Sequence, residues 1–134
     1  MKIYNTRPPN YAAILAVFPS AARDGVIFAY APDIYAPGNP NLHPALVAHE
    51  AVHVERQEKI GVEAWWAQYL VDAEFRYNEE LLAHRAEYET LIKGNPSRHI
   101  RRAALKMVGD RLAAQLYGGL RTRKQAMADI LGES

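Results

Sequence analysis

The chain has 134 residues, the size of one ordinary domain, so we expect a single domain spanning residues 1–134. Its formal net charge of +1 predicts no overall field that would attract nucleic acid or an anionic membrane. The chain contains no cysteine, which excludes disulfides, thiolate nucleophiles and Cys-ligated zinc. Any metal must therefore be held by His, Asp and Glu.

The N-terminal region contains short apolar segments and turn residues. Tyr11 to Phe18, Val26 to Tyr30 and Ile34-Tyr35 are rich in β-branched and aromatic residues, and we interpret them as strands. The run Ala12 to Phe18 is far shorter than the roughly 20 residues of a membrane span, and no basic segment precedes it. We therefore expect a soluble protein with no signal peptide and no membrane partner.

Helical patterns dominate after the Pro- and Gly-rich loop of residues 36–41. Pro44 suits a first helical turn, and no Gly or Pro follows before Gly61, so we predict a helix from Pro44 to Ile60. A second helical stretch runs from Val62 to Lys93. At 1.5 Å per residue it would be about 46 Å long, too long for a domain of this size, so we expect a break near Asp72 or Asn78.

Two further helices are predicted in the C-terminal part, from Ser97 to Leu116 and from Thr122 to Leu131, separated by a turn at residues 117–119. Strands come first and helices follow, an order typical of the α+β class. The predicted architecture is a short N-terminal sheet followed by three to four helices.

Trp65 and Trp66 are neighbours in the second helical stretch, and adjacent residues of a helix point to different sides. We expect Trp66 to lie in the core. Trp65 is predicted to be partly exposed or to lie in an interface.

The segment His49-Glu50-Ala51-Val52-His53 matches H-E-x-x-H. Two histidines four residues apart on a helix project from one face, so both imidazoles can bind one ion. Glu50 lies at the edge of that face, where it can accept a proton from the metal-bound water. With 5 His and 15 acidic residues, chance would produce this pattern in about one chain in a hundred. The alternative is that both histidines are hydrogen-bonded core residues and Glu50 is solvated.

A catalytic zinc usually has three protein ligands and one open position, so a third ligand must come from elsewhere in the chain. A third histidine six residues after His53 is absent, because Lys59 occupies that position, and a metzincin-type ligand set is excluded. A glutamate of the next helix is the better candidate. The acidic and histidine candidates there are Asp72, Glu74, Glu79, Glu80, His84 and Glu87.

Among these candidates we favour Glu80. It lies beside the apolar face of Tyr77 and Leu81, and the small Ala83 would let the two helices approach closely. Every other glutamate can instead be a solvated helix charge or, as for Glu87, the partner of a surface arginine. His84 can alternatively be a hydrogen-bond donor near the metal.

Three segments together resemble small metallopeptidase-like proteins of bacteriophages and prophages: Pro44 to Gln57, Phe75 to Tyr88 and Leu116 to Leu120. The resemblance implies a zincin fold of the gluzincin type, with a Glu third ligand in the second segment, carried here by Glu80. Thermolysin-like gluzincins have an N-E-x-x-S-D segment at that place. This chain has two adjacent glutamates, Glu79 and Glu80, and no downstream Asp, so the usual carboxylate partner of a ligand histidine is missing from the motif.

The sequence therefore predicts a zinc-dependent hydrolase of amide bonds, most simply a peptidase, with His49, His53 and Glu80 as zinc ligands and Glu50 as the catalytic base. Its expected partner is a protein or peptide substrate and not nucleic acid. It would be located in the host-cell cytoplasm or in a virion. The alternative is a non-catalytic protein of a phage particle, in which zinc stabilises the fold.

Overall fold

The computed structural model describes residues 1–38, 41–94, 96–114 and 118–133. Over these ranges it is mostly helical and carries a small three-stranded sheet near the N-terminus, so the predicted α+β class is confirmed. The number of helices was underestimated. The described ranges contain six α-helices, not three to four, because the long stretch after Gly61 is divided into two and one more helix precedes the second strand.

The sheet consists of β1 (Ile3–Tyr4), β2 (Phe28–Tyr30) and β3 (Asp33–Tyr35), in the order β1-β3-β2. β3 pairs in parallel with β1 and antiparallel with β2. The predicted strands near residues 26–30 and 34–35 are therefore confirmed in shorter or shifted form, whereas β1 was missed. β2 is an edge strand, and it lies against the helix that carries the H-E-x-x-H segment.

The strand predicted from Tyr11 to Phe18 is wrong, because these residues form helix α1 (Tyr11–Val17), followed by a 3₁₀ helix (Pro19–Ala22). Three alanines among seven residues favour a helix intrinsically. The side chains of Tyr11, Ile14 and Leu15 also recur at three- and four-residue spacing, which places them on one face against the core. A short apolar run is compatible with either a helix or a strand, and the strand-like segments that follow it do not decide between the two.

Five helices form the rest of the described chain: α2 (Pro44–Ile60), α3 (Val62–Val71), α4 (Ala73–Leu91), α5 (Arg98–Leu112) and α6 (Arg123–Leu131). The bounds of α2 are those predicted. The predicted break near Asp72 is confirmed, since Asp72 has extended backbone angles and its side chain accepts a hydrogen bond from the Phe75 N–H. None of the described helices combines the length and apolar composition that a bilayer crossing requires.

Apolar side chains pack in three clusters around the pair of helices α2 and α4. One lies between α1, β2 and α3, a second joins α4 to α5 and α6, and the third packs the sheet on α2. Trp65 belongs to the first cluster and is only 1% exposed, so its predicted exposure is wrong; Trp66 is buried as expected. The buried polar side chains lie where α2 faces α4.

Candidate metal centre

Helix α2 places the H-E-x-x-H residues in the interior. His43 caps the helix, its Nδ1 accepting a hydrogen bond from the Ala45 N–H at 3.0 Å, and Pro44 follows as the first helical residue. His49 and His53 are one turn apart, and their rings lie 5.0 Å from each other. Both histidines and Glu50 are buried. Glu50 is therefore not the solvated residue that the alternative interpretation requires.

Glu80 on α4 faces both histidines, as the sequence predicts. Its Oε1 lies 3.1 Å from His49 Nε2, and its Oε2 lies 3.2 Å from His53 Nε2. Ligands of a tetrahedral zinc, bound at 2.0–2.1 Å, are separated by about 3.3 Å, so these distances suit a shared ion. His49, His53 and Glu80 are one of two buried groups in the described chain that could hold a metal ion.

The protonation of His49 favours a cation at this position. His49 Nδ1 lies 2.9 Å from Glu87 Oε1, and since a carboxylate can only accept, the Nδ1–H must donate. The neutral imidazole then directs the Nε2 lone pair at Glu80 Oε1, which lacks a hydrogen-bond partner among the described residues. Two lone pairs 3.1 Å apart repel unless a proton or a metal ion lies between them. The residues present therefore fit a metal.

Glu79, the neighbour left open by the sequence, has a different role. Its carboxylate accepts two hydrogen bonds from Arg56, both 3.1 Å long, and one from Trp65 Nε1 at 2.7 Å. These contacts satisfy the Glu79 carboxylate between Arg56 of α2 and Trp65 of α3. The helix rotation of about 100° per residue separates the two glutamates, and only Glu80 faces the site.

The other acidic candidates lie elsewhere. Asp72 caps α4, and Glu74 is exposed, with one oxygen 3.6 Å from Arg121. Neither carboxylate is directed at the histidines of α2. Both therefore have the structural or solvated role that was the alternative for single acidic residues.

Glu87 supplies the carboxylate partner that the motif lacks. It lies two turns after Glu80 on α4, contacts His49 Nδ1, and forms an ion pair with Arg111 of α5. The predicted arginine pairing of Glu87 is confirmed, but its contact with the ligand histidine was missed. The same group includes His84, whose Nδ1 lies 3.2 Å from Glu87 Oε1, and His49, His84 and Glu87 form the second group that could hold a metal.

The pKa shifts of Glu50 and Glu80 indicate different roles for these two glutamates. Burial raises the pKa of Glu50, and the neighbouring histidines only partly oppose it, so its carboxyl holds a proton more readily than usual. Burial also acts to raise the pKa of Glu80, but the charge of His53 and the close contacts with both histidines outweigh it and hold the pKa well below its usual range. The anionic form of Glu80 is therefore favoured, which suits a metal ligand, and Glu50 is suited to exchange protons.

The pKa values of His49 and His84 are shifted in opposite directions. Burial acts to lower the pKa of His49, but the close contact with Glu80 and the charge of its carboxylate outweigh it and raise the pKa. Burial, assisted by the charge of His49, holds the pKa of His84 well below its usual range. A cation is thus favoured at His49, on the side facing Glu80, whereas His84 stays neutral.

Tyr69 of α3 was not predicted to lie at the site. Its hydroxyl donates to Glu80 Oε2 over 2.5 Å, and its ring stacks on Trp65 with 4.7 Å between centroids. The sequence offered no signal for this contact, because it depends on how α3 folds back across α4 after the break at Asp72. Tyr69 places a phenolic O–H beside the carboxylate that faces both histidines.

Two pockets open at the candidate metal centre, and both have His49 and Glu50 in their walls. The first, of about 580 Å³, extends toward His53 and is otherwise lined mainly by apolar side chains; we call it the apolar pocket. The second, of about 660 Å³, extends toward α5, and its charged walls are Arg23 and Arg111 together with Glu50 and Glu87. We call it the basic pocket after its two arginines, of which Arg23 is exposed. A ligand over His49 and Glu50 can therefore contact two surfaces of different chemistry.

Comparison with models of known protein families, with curated proteins and with solved structures gives no match. The resemblance to phage and prophage metallopeptidase-like proteins therefore remains a hypothesis based on the three sequence segments. In the third of these segments, Leu116 and Tyr117 lie outside the described residues.

Proposed function

We propose that the protein is a zinc-dependent hydrolase of amide bonds, most simply a peptidase. The observation that carries the proposal is the convergence of His49 Nε2, His53 Nε2 and the two oxygens of Glu80, with Glu50 beside them in the wall of two open pockets. Zinc held by these three residues would polarise the substrate carbonyl and lower the pKa of water. Imidazole and carboxylate ligands suit zinc, and the set leaves one position open.

Glu50 would act as the catalytic base. It is buried beside both histidines but is not one of the residues that surround the shared ion position. A raised pKa brings its carboxylate nearer to the range in which it can accept a proton from the attacking water and return it to the leaving amine. His49 is held in one tautomer by Glu87, so that Nε2 remains available to the metal.

The first experiment measures metal content by elemental mass spectrometry on protein purified without chelators or a His-tag. We expect about one zinc per chain, lost in His49→Ala and retained in Glu50→Gln. Wild-type protein should cleave members of a peptide library, and Glu50→Gln should be at least about 100-fold slower. Zinc retention with unchanged cleavage in Glu50→Gln would contradict the mechanism.

A non-catalytic role is the second candidate, favoured by the burial of all three ligands and by their position between two helices, where a metal would link α2 to α4. In that case the protein would serve the assembly of a phage particle. A structural site should lose folding when His49 is replaced, whereas a catalytic site on an independent core should lose activity and only part of the stability.

The sequence resemblance supports a small phage or prophage metallopeptidase-like protein with a gluzincin-type site. The arrangement of Glu80 opposite two histidines one turn apart is consistent with that proposal. It would place the protein in the cytoplasm of an infected or lysogenic cell, or in a virion. Separating these two locations requires fractionation of infected cells and of purified particles, followed by detection of the protein.

A further inference from the structure

We propose that the site takes a short peptide that places an apolar side chain in the apolar pocket and a carboxylate in the basic pocket. The two pockets share Val26 and Ile27 as well as His49 and Glu50, so one ligand can occupy both while its central amide lies over His49 and Glu50. This inference rests on the proposed function and adds the substrate class to it.

The apolar pocket provides the first contact. Its walls include Ile14 and Phe18 from the first helical segment, Phe28 from β2, and Trp66 and Tyr69 from α3. Burial of a leucine or phenylalanine side chain against such a surface is favourable in proportion to the apolar area removed from water. Charged side chains are disfavoured there because few groups could compensate them.

The edge of β2 next to this pocket is already closed. Gln57 Nε2 and Trp66 Nε1 both donate to the Ala29 carbonyl at 3.0 Å, and Gln57 Oε1 accepts from the Ala31 N–H at 2.7 Å. An open edge strand would use these outward groups to pair with an extended peptide. The buried amide of Gln57 occupies them instead, so a peptide cannot pair with β2 at Ala29 or Ala31. This end of the cleft therefore favours a short ligand.

The basic pocket provides the second contact. Arg111 is neutralised by its ion pair with Glu87, and Glu87 also accepts from His49. Arg23 is exposed at the pocket wall and forms no ion pair with any residue in the described ranges. A guanidinium binds a carboxylate through two parallel N–H donors, so Arg23 can recognise either a C-terminal carboxylate or an acidic side chain.

The test uses zinc-loaded protein and three matched peptides. They are acetyl-Leu-Phe-Leu-Ala with a free C-terminus, the same peptide as the amide, and the amide with Glu in place of Ala. We expect kcat/KM about tenfold higher for at least one carboxylate peptide than for the neutral amide, mainly through KM. The free-acid arm and the Glu arm distinguish the two sources of the carboxylate.

Arg23→Gln should abolish this preference, whereas Arg98→Gln should retain it. Arg98 is the matched control because it is also exposed but lies at the far end of α5, roughly 20 Å along the helix from Arg111. Binding of the acid and amide peptides is measured in parallel by calorimetry on zinc-loaded Glu50→Gln. Equal binding of the two, or a preference that persists in Arg23→Gln, overturns this inference. Zinc binding and carboxylate-selective peptide binding without turnover would overturn only the proposed hydrolysis.

Discussion

Glu79 and Glu80 are adjacent on α4 but differ in every contact. Glu80 lies against His49 and His53, while Glu79 accepts from Arg56 and Trp65. Their substitution therefore separates metal binding from stability at two neighbouring positions of one helix.

We expect Glu80→Gln to lose most of the bound zinc while the chain stays folded. Glu79→Gln should keep about one zinc per chain but lower the free energy of unfolding by about 1–3 kcal/mol, because it weakens buried charge-assisted hydrogen bonds. Metal analysis and urea denaturation of both variants measure the two effects. Equal zinc loss in both would show that the assignment of Glu80 as ligand is wrong.

Glu87 would act on a bound metal through His49. Its carboxylate fixes the Nδ1–H tautomer and the ring orientation, and partners of this kind contribute about 10–100-fold in metal affinity. We therefore expect Glu87→Gln to weaken zinc binding by about that factor, measured by competition with a chelator of known affinity. Glu89→Gln, at an exposed position of the same helix, is the control and should bind zinc like the wild type. An unchanged affinity in Glu87→Gln would exclude this positioning role.

Tyr77 carries a pH-dependent contribution to stability where α4 packs against α6. Its hydroxyl donates to Asp129 Oδ2 over 2.5 Å, and burial together with this hydrogen bond raises its pKa well above the ordinary value. The folded chain therefore keeps the phenolic proton in a range where the unfolded chain, with a pKa of about 10, releases it. The stabilisation is fully present below about pH 10 and is lost as the pH rises further.

Tyr77→Phe should consequently be less stable than the wild type by about 1 kcal/mol near neutral pH. The difference should shrink between about pH 10 and pH 11, because only the wild type loses this contribution there. Urea denaturation of the two proteins across this range measures it. A difference that stays constant up to pH 11 would mean that the Asp129 contact does not hold the proton.

At the scale of elements, Gly61 sets the turn between α2 and α3. Its backbone has φ 100° and ψ 126°, a region that side-chain-bearing residues avoid, and an added Cβ would meet nothing closer than 4.0 Å. Any cost of Gly61→Ala is therefore backbone strain. This turn brings Trp65 and Tyr69 back over α4, beside the candidate metal centre.

We expect Gly61→Ala to lower the free energy of unfolding by about 1–3 kcal/mol and to weaken zinc binding, since Tyr69 contacts Glu80. Gly132→Ala is the matched control. Gly132 has left-handed angles at the end of α6, where alanine costs only about 1 kcal/mol and no site residue is near in sequence. Equal destabilisation in the two variants, with unchanged zinc affinity, would contradict a specific role for this turn.

The sequence predicts α2 well because its boundaries are local: Pro44 begins the helix and Gly61 ends it. The break at Asp72 also follows from local information, namely the length of the helical pattern and a capping residue. Helix α1 was misassigned because a seven-residue apolar segment has no periodicity long enough to decide, and its helical face is determined by packing on α3.

The residues of the candidate site also divide into those that local sequence predicts and those that depend on packing. His49, Glu50 and His53 are a local motif, and the helical phase of α4 favours Glu80 over Glu79. Glu87 and Tyr69 could not be predicted, because their contacts with the site depend on how α4 packs against α2 and how α3 crosses both. Long-range packing determines which polar residue meets which, and a single sequence does not contain that information in a readable form.

For the whole molecule, a bound metal and the apolar core would make separate contributions to stability. None of the three apolar clusters includes His49, His53 or Glu80, so the metal-free chain should remain folded. The candidate ligands are nevertheless buried between α2 and α4, where a carboxylate charge is costly unless a cation compensates it. A metal that binds only the folded state adds stability according to its affinity and concentration.

We therefore expect zinc at about 1,000 times its dissociation constant to add about 4 kcal/mol and to raise the melting temperature by roughly 10 °C or more. A chelator should reverse the shift and leave the helical circular dichroism unchanged at 25 °C. His49→Ala should show no response to zinc, which excludes adventitious surface binding as the cause. Loss of the helical signal on chelation would instead mean that the metal is required for folding, and the non-catalytic role would then be the better account of this site.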